Sequence, residues 1–270
     1  MRETKNFGAL GWRTLALAAT LAVTAASASA ATVAITPGDP TWSSIPGENN
    51  AGSSTAITGA APISGNGSLE LTGDRTRFSM GNYYNPASNL GLLDQVSQLT
   101  YSWMVAVNSS NPYNVDYTPA LRLHIFDNGV RSELIWEGAY NNVYGNMVKG
   151  DLYSSGIADN FYRNVSGSGV TLSNGSQVNH TIFDWASGAS DAGVQWYSSS
   201  AYVSAISVGD GSGASGAYHA FVDDVTFGIN NSLTTFNFEV TASAVPEPAS
   251  IALLGLGLFG IAATRKRKSA

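Results

Sequence analysis

The chain has 270 residues and no cysteine, and 13 basic against 19 acidic residues give it a formal charge of −6. No disulfide can staple it, and no thiol can serve as nucleophile or metal ligand. Positive charge sits mainly at the two ends: residues 31–245 hold six Lys/Arg against 17 Asp/Glu, a net of −11 (6 − 17), which argues against nucleic acid and anionic lipid as partners.

At the N-terminus Arg2, Lys5 and Arg13 form a basic stretch, and Thr14 to Ala25 form an apolar one. Ala28-Ser29-Ala30 is a small-residue site of the A-x-A kind, read by signal peptidase. The apolar stretch is too short for a stable membrane span, so residues 1–30 are expected to be a cleaved signal peptide. Residues 31–243 then form one domain of a size that supports a real core.

Within that domain the apolar pattern has period two. In Leu99 to Val107 the positions Leu99, Tyr101, Trp103, Val105 and Val107 are apolar and alternate with Thr100, Ser102, Met104 and Ala106. This predicts a strand with Trp103 in the core. Leu121 to Phe126 alternates in the same way, and Asp127-Asn128-Gly129 separates it from the run Glu133 to Glu137. An Asn-Gly pair between two alternating runs predicts a β-hairpin. Tyr202 to Val208 and Tyr218 to Phe227 are expected to form a second pair across the glycine-rich stretch 209–216. Leu69 to Thr72, Thr76 to Met80, Gly169 to Leu172 and Thr234 to Val240 are shorter candidate strands. No stretch shows a helical repeat, so the expected fold is all-β: an antiparallel two-sheet sandwich or jelly roll.

The chain has no G-x-S-x-G elbow, no H-E-x-x-H and no phosphate-binding glycine loop, so no catalytic residue is assigned. The histidines His124, His180 and His219 lie far apart in sequence. Asp127-Asn128-Gly129 and Asp210-Gly211-Ser212-Gly213 offer oxygens that could take Ca²⁺, but neither has the ladder of a dedicated loop, and turn chemistry accounts for both. No metal or other cofactor is assigned. Trp136, Tyr140 and Asn141 follow one another around an expected turn and are the candidate sugar-binding residues. Trp185, Trp196 and Tyr197 form a second aromatic region. A ring stacks on the apolar face of a sugar while Asn and Asp take its hydroxyls.

Two resemblances bear on the domain. His219 to Phe227 (HAFVDDVTF) resembles the closing strand of concanavalin-like and carbohydrate-binding jelly rolls, which implies a two-sheet sandwich. Glu133-Leu134-Ile135-Trp136-Glu137 resembles the Glu-x-Asp-x-Glu strand of laminarinase-like glycoside hydrolases, whose outer carboxylates are nucleophile and acid. Ile135 stands where that family has its middle Asp. Cα atoms four apart on a strand lie roughly 13 Å apart, whereas a retaining pair needs carboxyls about 5–5.5 Å apart. Glu133 and Glu137 are therefore expected to be solvated glutamates on a sheet surface.

The C-terminal end, residues 244–270, has three parts. Val245-Pro246-Glu247-Pro248 is held extended by its prolines. Residues 249–263 are apolar and reach roughly 22 Å as a helix, a minimal membrane span. Arg265, Lys266, Arg267 and Lys268 form a stop-transfer cluster. This arrangement resembles the PEP-CTERM sorting signal of exported Gram-negative proteins. The resemblance implies a membrane protease of the exosortase type as partner, with anchoring in the inner membrane before processing and delivery to the cell surface or extracellular matrix afterwards. The expected function is a non-enzymatic surface or matrix protein. A carbohydrate-binding module that holds a surface polysaccharide is the alternative, and a laminarinase-like hydrolase the second.

Overall fold

In a computed structural model the described residues are 30–45, 47–111, 116–141, 143, 145–165, 180–188, 190–191, 194–211 and 217–241. The expected signal peptide, apart from residue 30, the candidate strand 169–172 and the expected sorting end 244–270 lie outside them. Among the described residues no helix is long and apolar enough to cross a membrane.

Period-two patterning is realised as strand. Val96–Val105 buries Val96, Leu99, Tyr101, Trp103 and Val105 on one face, while the residues between them are at least partly exposed. Trp103 is fully buried, as its place in the alternation requires, and stacks on Tyr153 at 4.7 Å. The strand ends two residues before Val107, which lies in a turn and is exposed.

Two large sheets form a sandwich. In the seven-stranded sheet His219–Ile229 is central. Val96–Val105 pairs along one side of it. On the other side Ser68–Thr72 takes its first half and Ser232–Phe238 its second. The switch between those two partners falls at Asp223-Asp224, where the register slips and Asp224 adopts φ +48°. Here Asp223 is fully buried, and its carboxylate accepts the backbone N–H groups of Ser64, Asp224 and Phe238. The Asp-Asp pair of this central strand is therefore a structural device at a bulge.

The eight-stranded sheet runs His180–Thr181, Asn160–Val165, Val130–Trp136, Ala120–Asp127, Tyr202–Gly209, Phe78–Gly81 and Trp42–Ser43, with Gly91–Leu92 beside Tyr202–Gly209. Asn128 and Gly129 have φ of 50° and 79°, the left-handed pair that a two-residue hairpin turn needs. That turn sets Asp127 opposite Val130 and carries the register on to Leu121 opposite Trp136. Leu121, Leu123, Ile125, Leu134 and Trp136 face the opposing sheet in one core cluster.

Two expectations are corrected. Tyr202–Gly209 and His219–Ile229 are not a hairpin pair but lie in different sheets, each paired with other strands on both edges. The sandwich is also not wholly antiparallel. Ala31–Ile35 pairs in parallel with Ser232–Phe238, so the two ends of the described domain close one edge together.

Candidate functional site

On the face of the eight-stranded sheet turned away from the core, two rows of side chains cross the strands. One row is Asn164, Glu133, His124 and Ala205, and the next is Tyr162, Ile135, Arg122 and Ser207. The rows follow from the hairpin register and from alternation: His124 stands directly opposite Glu133 because the turn between them has two residues. Loops from elsewhere in the chain bring Glu48, Arg75, Arg77, Tyr84 and Tyr117 to the same face, and together they enclose a cleft of about 460 Å³.

Glu133 is the electrostatic centre. Its carboxylate lies 3.2 Å from Arg131 Nη1, 3.5 Å from His124 Nδ1 and 3.8 Å from Arg122 Nε, and it is buried. Burial favours its protonated form, but His124 and the Arg122 and Arg77 guanidiniums outweigh burial and hold the carboxyl well below its usual range. The expectation of a solvated surface glutamate is thus corrected for Glu133: cross-strand pairing brings His124 and Arg122 to it, Arg131 joins them from two residues earlier on the same strand, and loops cover it. His124 is fully buried, with Nε2 at 2.7 Å from Ser207 Oγ and its ring stacked on Tyr83 at 4.3 Å. Burial pushes its imidazole below the ordinary value.

Arg131 also covers the Tyr84 ring, its guanidinium carbon 4.8 Å from the ring centroid. Tyr84 donates a short hydrogen bond to Glu48, which pairs with Arg75 at 3.4 Å. On the opposite wall Tyr162 donates to Glu137 Oε1 at 2.8 Å, and the Tyr117 hydroxyl accepts the Gly211 N–H at 2.8 Å. Burial, then Glu137, pushes the Tyr117 phenol up to about 12 and that of Tyr162 higher still, so both rings stay neutral. Arg77 is tied by Nη1 to the carbonyls of Thr76 and Asp210.

Of the three residues proposed from the sequence to bind sugar, none presents a free platform. Trp136 is 1% exposed. Its ring meets Tyr101 edge-on at 5.2 Å, and its Nε1 donates to Asp159 at 2.8 Å. It faces the core because it shares strand parity with Leu134, so its assignment to sugar is corrected. Asn141 spends its amide on the backbone, donating to the carbonyls of Glu137 and Asn160 and accepting the Asn160 N–H. Tyr140 is half-buried edge-on against Tyr162, 5.1 Å between centroids, and so braces a cleft wall. In the second aromatic region Trp185 and Tyr197 are buried as well. Asp127 is committed to Ser198 and Asp210 to Thr76. Among the described residues no three His, Cys, Asp or Glu gather as metal ligands.

No sequence motif marks the arginines of the cleft. Arg75, Arg77, Arg122 and Arg131 are four of the six basic residues in 31–245, and all four line this cavity. Against Glu48, Glu133 and Glu137 they leave the cleft at +1 (4 − 3), while the rest of that segment carries −12 (2 − 14). The parity of Arg122 with His124, and the hairpin register, were the local signals available. The Arg75 and Arg77 contribution had none.

Residues 244–268 match the PEP-CTERM protein-sorting motif, so the Pro246-Glu247-Pro248 element, the apolar run and the basic end all fall inside the match. Comparison of the chain with curated proteins gives no match.

Proposed function

Because the chain ends in a PEP-CTERM sorting signal, and is therefore an exported protein handed to an exosortase at the membrane, we propose that its β-sandwich is a non-catalytic glycan-binding domain displayed on the cell surface or in the extracellular matrix. The cleft over the eight-stranded sheet is the site. The observation that carries this reading is its lining: three tyrosines, Tyr84, Tyr117 and Tyr162, wall a 460 Å³ hollow whose remaining surface holds guanidiniums, carboxylates and the Asn164 amide. Rings that stack on sugar faces, with polar groups converging between them, are what a saccharide site needs.

Binding is favoured over hydrolysis by the partners of the two glutamates. Glu137 accepts the Tyr162 hydroxyl, and Glu133 is spent on ion pairs with Arg131 and Arg122. Ile135 also separates it from Glu137 where the hydrolase pattern has an acid.

A glycan array probed with the full chain in mild detergent tests the proposal. Binding to a restricted set of glycans is expected, weakened by about 1 kcal/mol in Tyr84→Ala, whose ring is half exposed. No binding to any glycan would sink it in favour of a surface protein without a ligand. Release of reducing ends that Glu133→Gln or Glu137→Gln abolishes would convert the reading to an enzyme.

A further inference from the structure

We infer that the cleft recognises an acidic glycan, with the carboxylate of a uronic acid residue seated against Arg122 and flanked by Arg77 and Arg131. This rests on the glycan-binding reading and deepens it. Four of the six basic residues of 31–245 are spent on one cavity, while the rest of that segment repels anions. A chain with so few cations gains nothing for solubility by stacking them on top of one another, and like charges so close oppose folding.

Arg122 is the specific signal. It is 2% exposed, lines the cleft, and among the described residues its Nε and Nη1 donate no hydrogen bond. Among the described residues its one ion-pair partner, Glu133 at 3.8 Å, is shared with Arg131 at 3.2 Å. A buried guanidinium with unfilled donors is costly, and a planar oxyanion is the group whose geometry fills them. Arg77 bears the same crowding: burial, then Arg122 beside it, pulls its guanidinium down to about 10. An incoming negative charge relieves both residues.

A tyrosine decides what carries the charge. A bare inorganic anion has no use for the half-exposed Tyr84 ring beside the cleft, whereas a sugar ring stacks on it and carries its carboxylate to the floor. The acidic remainder of the domain disfavours densely charged polymers, so one carboxylate per sugar suits this surface better than a heavily sulfated chain.

The test is calorimetric titration of the full chain in neutral detergent with four probes: a hexauronate, the same hexamer with its carboxyls reduced to alcohols, a sulfated hexasaccharide and inorganic phosphate. Hexauronate binding at least tenfold tighter than its reduced form, with the preference lost in Arg122→Gln, is the expected result. Arg122→Gln can fail to fold, so Arg131→Gln, at the partly exposed rim, is measured in parallel and is expected to cut the preference at least threefold. Equal affinity for the hexauronate and its reduced form overturns the acidic-sugar inference and leaves glycan binding standing. Preference for the sulfated probe or for phosphate overturns the carboxylate. Failure of every saccharide to bind overturns both readings together.

Discussion

Replacing Trp136 by alanine separates a core ring from a binding platform, and the geometry sets the size of the effect. The side chain is 1% exposed, meets Tyr101 edge-on at 5.2 Å and lies 6.2 Å from Trp103. Removing a buried Trp costs about 3–5 kcal/mol through lost transfer energy and the cavity left behind. The edge-on contact with Tyr101 puts this case in the upper part of that range, about 4–5 kcal/mol. Loss of the Nε1 hydrogen bond adds little, because Asp159 Oδ2 keeps the Gly156 N–H at 2.8 Å. For a domain of this size each kcal/mol moves the midpoint by about 2–4 °C, so Trp136→Ala should melt about 8–20 °C lower. Thermal unfolding of the full chain in detergent, followed by near-ultraviolet circular dichroism, measures it. A fall of less than about 2 °C, accompanied by loss of glycan binding, would place the ring at the surface and refute the register that points it inward.

Glu133→Gln should cost about 3 kcal/mol at pH 7 by leaving Arg122 buried beside a neutral amide. The folded-state carboxyl lies below its ordinary 4.5, so its contribution is present above that pH and is lost as pH falls. The stability gap between wild type and variant, read from urea unfolding, should therefore narrow from about pH 4.5 downward, and a gap that widened would contradict the ion-pair account. Asp223→Ala strands three backbone N–H groups at the bulge and should cost about 3 kcal/mol or more in the same assay. Gly81 has φ +82°, and a Cβ there would lie 2.4 Å from the Ser204 carbonyl oxygen, so Gly81→Ala should destabilise by about 2 kcal/mol or more. Replacing Pro246-Glu247-Pro248 by alanines should leave the chain in the membrane at its unprocessed mass. Normal amounts of the processed form on an immunoblot would show that the motif is not what the protease reads.

The cleft was half legible in advance. Alternation places Arg122 and His124 on one side of their strand and Glu133, Ile135 and Glu137 on one side of theirs, and a two-residue Asn-Gly turn sets His124 opposite Glu133. What could not be read was which side of that hairpin the second sheet covers. Both sides offered aromatic or charged groups, and Trp136 beside polar Glu137, Tyr140 and Asn141 looked like the wet one. The core took it instead, because Leu121, Leu123 and Leu134 share its face and bury together. Tyr202–Gly209 and His219–Ile229 misled in a similar way. Two strands separated by a short glycine-rich stretch look like a hairpin, yet here the connection crosses from one sheet to the other.

What the sequence determined alone is what adjacent residues decide among themselves: a basic-apolar-small start, an extended Pro-Glu-Pro before an apolar run and a basic stop, strands of period two, and one hairpin with its register. Each depends on backbone preference or transfer energy over a few neighbours. Only the tertiary structure decided where the charge gathers. Arg75 and Arg77 reach the cleft that Arg122 lines because Phe78–Gly81 pairs with Tyr202–Gly209, which in turn pairs with Ala120–Asp127. Asp223 becomes a buried acceptor because two other strands meet at its bulge. Strand pairing of this kind is a contest among distant segments for edges and for the core. Its outcome rests on the free energy of the whole sandwich, which no local stretch of the chain contains.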